Sequence, residues 1–135
     1  MDITQFAVSE TGILHLRDAN DEPMVGEDGQ PMTITGYGPG SREYNRAQAA
    51  QQNRLIRKLQ RKGKTDETAE QKIREQAEFL ADCTKEFSSN IMLGDLKGRE
   101  LFLGVYQESK VGFIAEQFNR WLNDWANFKQ PSAKS

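Results

Sequence analysis

A run of 21 residues without proline or glycine, Arg42–Lys62, constrains the fold more than any other feature. The turn before it, GYGPGS, ends in Ser41, whose hydroxyl can accept from the free amides of a helix's first turn. We therefore predict a helix over 42–62 with Ser41 as its cap. The glycines Gly36, Gly38 and Gly40 raise the alternative of a phosphate cradle. Their spacing matches neither GxGxxG nor a Walker loop, which favours a plain strand-to-helix turn.

Residues 1–38 carry a β-sheet pattern. The segment PMTITGY places apolar residues and β-formers at period two, and FAVSETGILHLRD alternates less regularly. Between them, Asp28–Gly29 is a preferred pair for a tight hairpin turn. We predict two or three short antiparallel strands. Because a lone hairpin is only marginally stable in water, its apolar side must pack on helices.

A second helix is predicted over 66–87, after a break at Gly63 and with Thr65 as its cap. Its apolar positions recur at helical spacing, which predicts a stripe that packs against the core: Ala69, Ile73, Ala77, Leu80, Cys83 and Phe87. Together the two helices form a predicted helical hairpin over 41–87.

The two predicted helices differ in charge. Residues 42–64 hold eight basic residues and one acid, whereas residues 66–86 hold seven acids and three bases. Antiparallel neighbours of opposite sign attract each other, which explains both charge runs without nucleic acid. A phosphate-contacting basic arm is the less favoured alternative, because the patch lacks interleaved aromatics.

The C-terminal third predicts a brief helix over Arg99–Tyr106 and a longer one after Ser109. Apolar residues in the longer helix recur at steps of three and four, which predicts one continuous seam: Val111, Ile114, Phe118, Trp121, Trp125 and Phe128. We predict that the part of this seam from Val111 through Trp121 lies in the core. Trp125 and Phe128 precede a tail, 129–135, that reads as disordered, so they raise the hypothesis of an aromatic anchor for another chain.

These patterns predict one α+β domain, mostly α-helical, over 1–128. It comprises a β-hairpin region (1–38), the helical hairpin (41–87) and C-terminal helices that close in an amphipathic helix (99–128). No apolar run approaches the ~20 residues that span a bilayer, and the start MDITQF lacks a secretory signal. We therefore expect a cytoplasmic protein without membrane contact.

The residues offer little for catalysis or for metal and cofactor binding. His15 is the only histidine and Cys83 the only cysteine. A nucleophilic Cys83 would need an activating histidine, and one cysteine excludes both an internal disulfide and an all-cysteine zinc site. The acids lack calcium-loop spacing. We expect a non-enzymatic protein with no catalytic residue, cofactor or metal.

Two motifs stand out within this order of elements. One is the strand-to-helix turn with Gly38, Pro39, Ser41 and Tyr44, and the other is the aromatic C-terminal segment that ends in Asn127–Phe128. Over about residues 10–128 the chain resembles the tail assembly chaperones of tailed bacteriophages and prophages. The resemblance implies a protein that is absent from the finished virion and binds the tape measure protein and tail tube protein in the bacterial host.

Exposed aromatic residues and a helix that has few apolar residues along one side are suited to binding an amphipathic helix in a groove. The hypothetical partner-binding surface comprises Tyr44, Leu55, Ile56, Leu59, Trp121, Trp125 and Phe128, whereas Ile73, Leu80 and Phe118 are assigned to the core. Two other classes stay open: a structural minor tail or neck component, and a small nucleic-acid-binding regulator that uses the basic helix 42–64. The sequence also leaves open whether the protein forms a homo-oligomer.

Overall fold

The computed structural model describes residues 2–62 and 68–129. Within them, three antiparallel strands and four α-helices follow one another in the order β, β, α, α, β, α, α. This order confirms the predicted α+β class, mostly helical, with a β-hairpin at the N-terminus. The predicted break at Gly63, the cap at Thr65 and the tail beyond residue 129 lie outside the described residues.

Strands β1 (Thr11–His15) and β2 (Thr33–Tyr37) form the hairpin, and β2 is the central strand of the sheet. Leu14 lies opposite Ile34, and both side chains are buried. Ile13 points to the other face, because side chains alternate along a strand, and it is 59% exposed. The sheet therefore packs on the core with one face only.

The connection between β1 and β2 folds into further turns. Backbone hydrogen bonds join Leu16, Met24 and Met32 in a ring, in which each N–H donates to the carbonyl of another member. The predicted turn at Asp28–Gly29 is present: Gly29 has a φ of +78°, a left-handed conformation that favours glycine, and its N–H donates to the carbonyl of Gly26.

Helix α1 (Arg42–Lys62) has the predicted bounds and the predicted cap. The Oγ of Ser41 accepts from the N–H of Tyr44 at 3.1 Å, and its hydroxyl donates to the carbonyl of Gly38 at 2.7 Å. Ser41 is itself buried, so this cap also satisfies a polar group that has left water.

Helix α2 (Ala69–Asp82) begins later than the predicted residue 66. Thr68 caps it, because its side chain accepts from the N–H of Gln71 while the Gln71 side chain accepts from the N–H of Thr68, both at 3.1 Å. This reciprocal capping box fixes the first turn. The sequence reading missed the box because it placed the cap at Thr65.

Strand β3 (Thr84–Phe87) occupies the end of the predicted second helix, so the prediction of helix over 66–87 is wrong beyond Asp82. β3 pairs antiparallel with β2, and the N–H of Tyr37 donates to the carbonyl of Cys83 at 2.7 Å. The pairing satisfies backbone groups along the second edge of β2, which a continued helix would leave without strand partners.

Helices α3 (Gly98–Gln107) and α4 (Gly112–Leu122) complete the fold. The predicted continuous helix through residue 128 is wrong, because a separate 3-10 turn forms at Trp125–Phe128. The side chain of Asp124 accepts from the N–H of Ala126 at 3.0 Å and caps this turn. A short acidic side chain that bonds to nearby backbone competes with helix continuation.

A chain of aromatic rings runs through the core. Consecutive ring centroids lie 4.6 to 5.8 Å apart along the series Phe87, Tyr106, Phe118, Trp121 and Phe128. These rings join β3, α3, α4 and the C-terminal turn into one packed layer. Leu80 and Phe118 are fully buried, as predicted for core residues.

Candidate interaction surface

Helices α1 and α2 extend beyond the core as a two-helix arm. The buried side chains of α1 are Tyr44 and Ala47, and those of α2 lie within 77–81. In residues 51–60 and 68–76, which we call the arm, every side chain is exposed except Arg54, Lys58 and Glu75. Because α1 rises about 1.5 Å per residue, its part of the arm is roughly 15 Å long.

Ion pairs hold the two helices of the arm together. The Nε of Arg54 lies 3.9 Å from the Oε1 of Glu78, and Lys58 contacts Glu75 directly. The side chains of these four residues are 19% to 34% exposed, so each pair contributes on the order of 0 to 1 kcal/mol. The predicted attraction between a basic and an acidic helix is therefore present as specific contacts.

The arm carries aliphatic side chains that the described chain covers only in part. Leu55, Ile56 and Leu59 are 45%, 50% and 43% exposed. Leu55 follows the buried Tyr44 by 11 residues, which is about three helical turns, so the two lie on the same side of α1. The apolar side of α1 thus continues past the point where the core ends.

Ile73 shows the same relation on α2. It precedes Leu80 by seven residues, about two turns, so both lie on one side of the helix. Leu80 is fully buried, whereas Ile73 is 45% exposed. The assignment of Ile73 to the core is therefore wrong, because its stripe extends beyond the elements that cover Leu80.

The structure separates the seven residues of the predicted partner surface. Leu55, Ile56 and Leu59 are exposed on the arm, as that surface requires. Tyr44 is 7% exposed and packs edge-on against Phe79, with ring centroids 5.8 Å apart. Its predicted place on the surface is wrong, since the start of α1 lies against the core.

The C-terminal aromatics also divide. Trp125 is 56% exposed, whereas Phe128 is 1% exposed and its ring centroid lies 4.6 Å from that of Trp121. Trp121 is partly buried between Phe118 and Phe128. The 3-10 turn directs Phe128 back into the core, so the predicted projection of this residue is wrong and only Trp125 projects.

The glycines have a packing role that the sequence reading missed. Gly12 and Gly36 lie opposite each other on β1 and β2, on the face that packs against the aromatic chain. A Cβ on Gly12 would lie 3.1 Å from ring atoms of both Trp121 and Phe128. The position of Gly36 could have indicated this role, because it lies two residues after the buried Ile34 and therefore on the same face of β2.

A groove that the sequence did not suggest runs beside β3. Its volume is about 910 Å³, and it lies between β3, the connection 88–97 and the start of α3. Met92 is 79% exposed and Leu96 is 40% exposed at this groove. Apolar exposure is therefore not confined to the arm.

The two candidate reactive side chains lie in different settings. Cys83 is fully buried, and burial, with a smaller effect of the Asp82 carboxylate, raises the pKa of its thiol to about 12. A protonated, enclosed thiol packs as a small apolar group at neutral pH. His15 is exposed on β1, opposite Thr33.

Comparisons with known proteins give no match to this chain, whether with protein-family models, curated proteins or solved structures. Among the described residues, no helix combines the length and apolar character needed to cross a bilayer.

Proposed function

We propose that this protein is a non-enzymatic tail assembly chaperone of a tailed bacteriophage or prophage. In this proposal it binds the tape measure protein, tail tube subunits or both during tail morphogenesis in the cytoplasm of the bacterial host. Two things support the proposal: the resemblance carried by the Gly38-to-Tyr44 turn and the Asn127–Phe128 end, and a two-helix arm with uncovered aliphatic side chains.

The arm carries the proposal because its apolar residues do not belong to the buried core of the described chain. Leu55, Ile56 and Leu59 lie on an otherwise polar helix and are each about half exposed. Covering the exposed half of one such side chain is worth about 1 kcal/mol. A partner helix laid along α1 would therefore gain a few kcal/mol, which suits a client that must later be released.

A row of uncharged side chains on α1 also favours a helical client. Four uncharged residues follow one another at spacings of four, three and four residues and form one row: Gln48, Gln52, Leu55 and Leu59. Amphipathic helices dock through such rows, with anchors at i, i+3, i+4 and i+7. Long helices of a tape measure protein would present matching rows.

The first test is co-expression with the neighbouring phage genes, followed by a pulldown washed at low and then high salt. We expect recovery of a long helical protein that survives high salt, because an apolar interface is not screened by ions. The matched variants are Leu55→Asp with Leu59→Asp, and, as the control, Asn53→Asp with Gln60→Asp, which are exposed on the opposite side of α1. The leucine variant should lose the client, and the control variant, with the same added charge on the same helix, should keep it.

Other outcomes would support the alternative functions. A minor tail or neck component would stay in purified particles, which a chaperone leaves. A nucleic-acid-binding regulator would use the basic residues of 42–64, of which Arg57 is exposed, and its ligand would be lost at high salt. Equal loss of client in the leucine variant and the control variant would remove the arm from the proposal.

A further inference from the structure

A charged groove lies between the two helices of the arm. Its volume is about 260 Å³, and its charged lining residues are Arg54, Arg57, Lys58, Arg74, Glu75 and Glu78. Four cationic side chains face two carboxylates there, which gives the lining a net charge of +2. The ion pairs of the arm therefore do not neutralise this groove.

The two carboxylates of the groove lie beside Arg54 and Lys58, whereas the other two arginines of the lining have no such neighbour among the described residues. Glu78 lies near Arg54, and Glu75 contacts Lys58. No carboxylate of the described residues lies within ion-pair distance of Arg57 or Arg74. These two residues come from different helices and line the same groove, so both helices contribute positive charge that the two carboxylates do not pair with.

The guanidinium of Arg54 is the most informative group in the groove. Its Nε and Nη2 atoms are buried, and no atom of the described residues accepts a hydrogen bond from either. The Oε1 of Glu78 lies 3.9 Å from Nε, which is too long for a hydrogen bond. These two nitrogens form one edge of the guanidinium, and such an edge binds two oxygens of one anion.

We infer that this groove binds a single phosphate-class oxyanion, with Arg57 and Arg74 as flanking charges and with Arg54 as its bidentate donor once the guanidinium turns its unpaired Nε and Nη2 edge into the groove. A phosphate monoester carries close to two negative charges at neutral pH, which matches the net charge of the lining. At about 30 Å³ per water, the groove has room for one phosphate group and several waters. This inference does not depend on the proposed function.

The test uses inorganic phosphate as the probe and the full chain as the sample. We would follow the arginine Nε–H signals by ¹H–¹⁵N NMR during a phosphate titration, with sodium chloride adjusted to constant ionic strength. Saturable shifts of the Arg54 signal are expected. Arg57→Gln and Arg74→Gln should each weaken binding about fivefold to tenfold, because each removes one of the positive charges that flank the anion; this loss corresponds to about 1 to 1.4 kcal/mol.

Arg46→Gln is the matched control. Arg46 is an exposed arginine on the same helix, and it precedes Arg57 by about three turns, so it shares the side of α1 but lies outside the groove. Unchanged binding in this variant supports the site. A linear titration, or equal weakening in Arg46→Gln, would overturn it, because either result means general screening.

A second arm of the experiment separates two sources of phosphate. A single-stranded oligonucleotide replaces inorganic phosphate under the same conditions. Saturable binding of inorganic phosphate supports the discrete site, whether or not the oligonucleotide also binds there. Binding of the oligonucleotide without any response to inorganic phosphate would overturn the inference, because the groove would then need a polyanion.

Discussion

Gly36 and Phe118 pack so closely that a Cβ on the glycine would lie 2.8 Å from the Cε1 of the phenyl ring. Phe118 is fully buried and stacks against Tyr106, with ring centroids 5.6 Å apart. The ring therefore has no room to retreat. The absence of a side chain at Gly36 lets the sheet approach α4 at this distance.

The first prediction concerns this close approach. Gly36→Ala should lower the free energy of unfolding by about 1 to 3 kcal/mol, because an extra methyl group in a packed core forces neighbours out of position. Urea denaturation monitored by circular dichroism measures the change.

Gly112→Ala serves as the control for this substitution. Apart from its chain neighbours and the backbone of α4, which begins at Gly112, no atom lies within 4 Å of a Cβ built at this glycine, so the substitution should be neutral or slightly stabilising. Similar loss of stability in both variants would show that packing on Phe118 is not the cause at Gly36.

The second prediction contrasts two aromatic residues of the C-terminal turn. Phe128→Ala should cost about 3 to 5 kcal/mol of stability, because Phe128 is 1% exposed and its removal leaves a cavity. Trp125→Ala should cost about 1 kcal/mol, since Trp125 is 56% exposed. Thermal unfolding of the two variants, scanned side by side, distinguishes them. A Trp125 variant as unstable as the Phe128 variant would contradict the described turn.

The sequence predicted best where local signals determine the structure. Ser41 follows a turn that contains proline and glycine, and the next 21 residues contain neither, so α1 and its cap were both predictable. The Asp28–Gly29 turn was predictable for the same reason, because a left-handed backbone conformation favours glycine.

The sequence-based predictions failed where apolar periodicity fits two different structures. Thr84–Phe87 fits the end of an apolar helical stripe and also fits a short strand, and only the edge of β2 selects the strand. The spacing of Trp121, Trp125 and Phe128 continues a helical seam, but the side chain of Asp124 caps a separate turn. Periodicity does not reveal such a break.

The predicted partner surface failed in part for a similar reason. Helical spacing identifies which residues share a side of α1, but it does not show where the core stops covering that side. Tyr44 and Leu55 share one side, yet Tyr44 is 7% exposed and Leu55 is 45% exposed. Burial depends on elements that lie far along the chain, and no local pattern encodes their reach.

The third prediction concerns a buried hydroxyl pair. The Oγ1 of Thr84 donates to the carbonyl of Leu80 at 2.7 Å and lies 2.7 Å from the hydroxyl of Tyr106. Because the threonine has one hydroxyl proton, Tyr106 must donate to Thr84. Thr84→Val should therefore cost about 1 to 3 kcal/mol, since it leaves the Tyr106 hydroxyl buried and unpaired.

The double variant Thr84→Val with Tyr106→Phe tests that reason. This variant removes both polar partners, so neither hydroxyl is left buried and unpaired. The free energy of unfolding that it loses, measured in urea, should be about 1 kcal/mol smaller than the sum of the losses in the two single variants. Strictly additive losses would mean that the two hydroxyls do not interact in solution.

The fourth prediction is a pH dependence that arises from Cys83. Burial raises the pKa of its thiol from 9.0 to about 12 in the folded protein. A raised pKa lets the folded state keep a proton that the unfolded chain loses, so this contribution to stability is complete below about pH 9 and is lost as the pH rises toward 12. Between pH 8 and 10 the loss should be about 1 kcal/mol.

Cys83→Ala isolates this contribution from other groups. The buried Tyr106 also has a raised pKa and titrates in the same direction, so the alkaline loss must be compared between wild type and variant. Urea denaturation at pH 8, 9 and 10 should show a steeper decline for the wild type. If the free energy of unfolding declined equally with pH in both proteins, the thiol would have to be in contact with water. Rapid reaction of Cys83 with a thiol reagent in the native protein at pH 8 would lead to the same conclusion.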